Sequence, residues 1–137
     1  MQVRPAAVLG VVLLGLALVS CSSVNPNSGR VLTAISVSPE NADASQFPNG
    51  QVTFTATGQF SLPPLSAPVT FKSPYAGSFI VDNPGGQTIA NIVSTGTGTI
   101  TVQCASGVTG TVNLIASASA NNGTQIVVTG QGTLSCP

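Results

Sequence analysis

QVTFTAT, from Gln51 to Thr57, sets Val52, Phe54 and Ala56 at alternate positions with Thr53, Thr55 and Thr57 between and after them. A period of two puts the three apolar side chains on one face of an extended chain and the hydroxyls on the other. A helix would scatter the same residues around its circumference, so this stretch reads as a half-buried strand. The pattern extends in both directions. Val31, Thr33, Ile35 and Val37 alternate before Pro39, and Val69 and Phe71 do so after Pro68. Ile100, Val102 and Cys104 share a face, as do Val112, Leu114, Ala116 and Ala118, and finally Val128, Leu134 and Cys136. Turn signals separate the runs: Pro48-Asn49-Gly50, Pro63-Pro64, Pro84-Gly85-Gly86, Thr95-Gly96 and Asn121-Asn122-Gly123. The expected fold class is all-β, an antiparallel sandwich of about seven short strands.

The first 20 residues have a different character. Arg4 is followed by an apolar run from Ala6 to Val19, the order of a secretory signal. As a helix this run would reach about 21 Å, short of the roughly 30 Å hydrocarbon core, so a spanning helix is the weaker alternative. Leu18-Val19-Ser20-Cys21 closes the run and resembles the lipobox of bacterial lipoproteins. That resemblance implies removal of residues 1–20, acylation of Cys21, and, with Ser22 following, sorting to the outer membrane. An ordinary signal peptide cut nearby and an uncleaved anchor are the competing readings. Two or three acyl chains anchor stably without a basic patch. Residues 21–30, CSSVNPNSGR, then read as the lipidated cysteine and a flexible tether.

From Val31 to Pro137 the chain resembles the group 2 bacterial immunoglobulin-like domains of invasin- and intimin-like surface proteins. The resemblance rests on TAISVSPENADASQFPNGQVTFTATGQF, APVTFKS, TIANIV, ITVQCASG, GTVNLIASAS and GQGTLSC. It implies an immunoglobulin-like sandwich preceded by the signal helix and tether, and a structural or adhesion-type role in the envelope. The sequence departs from the family in two places. Phe71 stands where the family usually has tryptophan, where it reads as a core aromatic, and the segment from Ser73 to Gly86 is longer and less regular.

With Cys21 assigned to lipid, Cys104 and Cys136 form an even pair. Both are in phase with the apolar side of their strands and both would be exported to an oxidising compartment, so a disulfide is expected, with two separate buried thiols as the alternative.

Charged chemistry is scarce. The chain has three basic and three acidic residues and no histidine. With no basic stripe to neutralise phosphates, nucleic acid is not an expected partner. Nucleophilic catalysis needs a base beside the nucleophile, and abundant Ser and Thr without histidine point to solvated strand faces, so no catalytic residue and no cofactor is assigned. Glu40-Asn41-Ala42-Asp43 and Asp82-Asn83 carry oxygens that suit calcium, but each lies beside a turn where Asx residues serve the backbone, and no metal is assigned. Asn122-Gly123-Thr124 matches a glycosylation sequon, yet Asn-Gly between two strand-like runs is better explained as a hairpin turn. The expected partners are the membrane, through the acyl chains of Cys21, and an envelope protein or polysaccharide. Contact would come from a loop or strand edge in SPYAGSFIVDNPGG, Ser73 to Gly86, with Tyr75 or Phe79 exposed as an anchor. The alternative there is that Phe79, Ile80 and Val81 form a strand and Tyr75 caps the core. A carbohydrate-binding module is the weaker functional reading, since there is one tyrosine and no tryptophan. Adhesins of the resembled type string several such domains together, so a single module points to an accessory subunit of an envelope complex.

Overall fold

The alternation over Gln51–Thr57 forms the first seven residues of β3 (Gln51–Phe60), and Val52, Phe54 and Ala56 are completely buried. In this computed structural model residues 29–121 and 125–137 are described. The apolar N-terminal run, Cys21 and the Asn122-Gly123 turn lie outside the described residues. The other strands are β1 (Leu32–Ser38), β2 (Asn41–Asp43), β4 (Ser66–Pro68), β5 (Gly77–Asp82), β6 (Ala90–Gly96), β7 (Thr99–Cys104), β8 (Gly110–Ser119) and β9 (Val127–Cys136).

They form two facing sheets. One has the order β1-β3-β7-β6, with β4 paired to β3 beyond the end of β7, and the other has the order β2-β9-β8-β5. The seven main strands reproduce the constant-type immunoglobulin arrangement of four strands against three. All main pairings are antiparallel, while β2 runs parallel to β9. The chain therefore changes sheet between β1 and β2, and the Thr133 amide donates to the Glu40 carbonyl at 2.8 Å to fix the crossing. Phe54, Leu114, Leu134, Val52, Val102 and Val112 fill the space between the sheets. Each side chain of that size contributes roughly 1.5–3 kcal/mol by leaving water.

Several expectations are met residue by residue. Val112, Leu114, Ala116 and Ala118 all point inward from β8. Along β9 the inward positions are Gly130, Gly132, Leu134 and Cys136. The glycines are there because β1 passes directly over them. A Cβ at Gly130 would lie 2.5 Å from the Ile35 carbonyl oxygen.

Others need correction. Thr33 was expected inward, but a register shift between Leu32 and Ala34 changes the phase, so that Leu32 is buried and Thr33 exposed. Val69 is buried, yet Phe71 lies beyond the three-residue β4 with a φ of 51°, packed against the core rather than in a strand. Phe71 and Phe79 stack at 5.9 Å between ring centroids.

Candidate functional site

Strand direction gives the sandwich two distinct ends. β3 and β8 finish, and β1 and β9 begin, at the end where the described chain starts at Gly29. Leu32, first residue of β1, pairs with Phe60 and donates its amide to the Ala120 carbonyl at 2.8 Å. Phe60 in turn donates to Leu65, and Ala120 to Ile126, at 2.8 and 2.9 Å. One continuous set of backbone bonds thus holds the 61–65 loop, the chain entry and the start of β9 together.

Arg30 is the centre of this end. It is only 8% exposed, and its guanidinium lies 3.6 Å from the centroid of the Phe60 ring. Nε donates to the Leu62 carbonyl at 3.1 Å and a terminal nitrogen donates to the Pro64 carbonyl. A buried cation needs such partners, because removing it from water is otherwise costly. Tyr75 also packs against Phe60, tilted and at 5.2 Å between centroids, and its hydroxyl donates to the Arg30 carbonyl at 3.0 Å. A cleft of about 390 Å³ opens beside this group, lined by Arg30, Phe60, Pro68, Lys72, Ser73 and Tyr75 among others.

Tyr75 and Phe79 therefore differ from the expectation that one of them is an exposed anchor. They are 5% and 9% exposed and belong to the core. Phe79 points inward from β5, the first part of the irregular segment is a cap on the core, and the second is a strand paired with β8. Sequence reasoning also placed Arg30 in the tether. The signal missed was an arginine opposite the aromatic at the end of β3, thirty residues later, and no local pattern marks such a pair.

The opposite end carries the disulfide. Cys104 closes β7 in one sheet and Cys136 closes β9 in the other, with 5.7 Å between their Cα atoms, so the bond ties the sheets together. Antibody domains join their sheets through different strands. Phe47, 38% exposed, sits at this end beside the disulfide.

The oxygen-bearing residues near turns have structural occupations. Asp43 accepts from the Ser45 amide at 2.9 Å and from its hydroxyl at 2.7 Å, and these two bonds, the hydroxyl's first, hold its carboxyl below the usual carboxylate range. Asn41 accepts from the Thr133 hydroxyl at 2.6 Å. Asn83 accepts from the amides of Ile89 and Ala90 and donates to the Ala90 carbonyl. Among the described residues no three His, Cys, Asp or Glu side chains come together.

Outward faces of both sheets are hydroxyl- and amide-rich. Thr53 and Thr101 share a hydrogen bond at 2.9 Å across β3 and β7, and Gln51 pairs with Gln103 beside them. Exposed aliphatics remain at the side edge, where β5 and β6 end their sheets: Ile80 on β5, and Ile92 and Val93 at the register shift of β6. No protein-family model, curated protein or solved structure matches this chain.

Proposed function

We propose that the chain is a lipid-anchored immunoglobulin-like module of the bacterial cell envelope with a non-catalytic, structural or adhesion-type role. The observation that carries this reading is the Cys104–Cys136 bond, which occupies two of the three cysteines and leaves Cys21 at the close of its lipobox-like run. A disulfide suits an exported protein, and a single cysteine after an apolar run suits acylation. The group 2 resemblance supports a role in display or adhesion at the outer membrane.

The side edge formed by β5 and β6 is the contact surface this reading favours. A strand that ends a sheet offers unpaired amides and carbonyls to a partner, and Ile80, Ile92 and Val93 add apolar area beside them. An alternative role as a polysaccharide-binding or accessory subunit draws on the uncharged hydroxyl and amide faces. It has Phe47 as the one aromatic exposed by more than a third, where sugar platforms usually use several.

The test is metabolic labelling with a palmitate analogue in the wild type and in Cys21→Ala. Label on the wild type, and an unlabelled full-length precursor in the variant, are expected. Label that persists in Cys21→Ala would overturn the anchor. For the contact surface, Val93→Lys should abolish cross-linking to the envelope partner without lowering the melting temperature.

A further inference from the structure

We propose that the end of the sandwich at which the chain enters docks on the bilayer that holds its anchor, with Leu62, Leu65, Ile126 and Val127 seated at the headgroup boundary. This inference rests on the lipid-anchored reading above. Eight large apolar residues are exposed among the described residues, and these four are the most exposed of them, at 48, 59, 65 and 60%. All four lie at one end. Leu62 and Leu65 flank the two prolines after β3, and Ile126 directly precedes Val127, the first residue of β9, joined through the Leu32 and Ala120 backbone bonds. Exposed aliphatics gathered this way mark a surface that meets a partner.

The chain itself identifies the partner. Gly29, where the described residues begin, is at this end, and seven residues, eight Cα-to-Cα steps, separate it from Cys21. Fully extended they reach about 28 Å, so an acylated Cys21 keeps this end, and not the disulfide end, beside the headgroups.

Charge is sorted in the same sense. Of the three basic residues in the chain, Arg30 and Lys72 both line the cleft at this end, and Lys72 is exposed there. The three acids lie toward the other end: Glu40 bonded through its carbonyl to Thr133, Asp43 paired with Ser135, and Asp82 paired with Asn113. A surface of anionic lipid attracts the first end and repels the second. Arg30 spends its guanidinium on the Leu62 and Pro64 carbonyls and so fixes the loop that presents both leucines. Lys72 remains free to face lipid phosphates.

The chain has no tryptophan, so single substitutions report depth without background. The full-length chain, purified from membranes, is reconstituted into phosphatidylethanolamine/phosphatidylglycerol vesicles as Leu65→Trp, Ile126→Trp or, at the disulfide end, Phe47→Trp. On reconstitution the first two should shift their emission to the blue and be quenched by lipids brominated along the acyl chain. Phe47→Trp should do neither. Leu65→Trp and Ile126→Trp emission as red and unquenched as that of Phe47→Trp, on protein retained by the vesicles, overturns the docking. A blue shift already present in detergent and rising with protein concentration assigns the surface to a second copy and overturns it as well. Intact mass of the same sample decides the anchor separately. A Cys21 without acyl groups removes the lipoprotein reading, while the quenching still decides the docking, because an uncleaved apolar run also holds the chain on vesicles.

Discussion

Opening the Cys104–Cys136 bond is the perturbation whose size follows most directly from the structure. The bond spans a sequence separation of 32. Closing a loop of that length removes about 12 cal/mol/K from the unfolded ensemble in the chain-entropy model, or about 4 kcal/mol at room temperature. The folded state should lose little by comparison, since the strands on either side keep their ladders when the bond opens: β8 pairs with β9 along ten residues, and β3 pairs with β7 along five. For a domain of this size about 4 kcal/mol corresponds to a fall in melting temperature of about 16 °C. It is also a large share of the roughly 5–15 kcal/mol that holds a domain folded. The assay is urea unfolding followed by circular dichroism, oxidised against reduced, with the double variant Cys104→Ala/Cys136→Ala as the reagent-free comparison. The reduced form and the double variant should unfold at similarly lowered urea concentrations. A difference below about 1 kcal/mol between oxidised and reduced protein would refute the entropic account of the bond.

Three further outcomes are expected. Gly77→Ala should destabilise by about 3 kcal/mol, because a Cβ there lies 2.6 Å from the Ala118 Cα, with the Ser117 carbonyl oxygen closer still; an unchanged urea midpoint would contradict that approach. Tyr75→Phe should cost about 1–2 kcal/mol by leaving the Arg30 carbonyl without its donor, measured by the same unfolding curves. Asp43 is held below its ordinary value of 3.8 by Ser45, so its contribution is complete above that pH and is lost as pH falls through its lower folded value. Asp43→Asn should accordingly lower the neutral plateau of the urea-measured stability profile and leave the most acidic region in place, so that the acid limb flattens.

Legibility followed the length of each pattern. β3 and β8 alternate over ten residues with one face buried and the other wet, and a period of two has no helical counterpart over that span. β6 has one buried residue, Ala90, and six exposed ones, so periodicity carried no signal there. β2 and β4 are three residues each and exist because a neighbour offers them a partner, which sequence alone does not display. The disulfide was legible because strand phase gave both cysteines the same face. The end around Arg30 was not. Its buried cation depends on carbonyls of Leu62 and Pro64, and the exposure of Leu62 and Leu65 depends on how that loop is fixed. One of Tyr75 and Phe79 reads from sequence as an exposed anchor because turn residues surround them, with a strand and a core cap as the alternative, and both rings belong to the core.

The central claim is the anchor at Cys21, and mass spectrometry of the N-terminal peptide from membrane-extracted protein tests it most directly. The account predicts a peptide that begins at Cys21, carries a thioether-linked diacylglycerol and an N-acyl group, and continues SSVNPNSGR. A peptide that retains residues before Cys21, or one with a free thiol at that position, would contradict it.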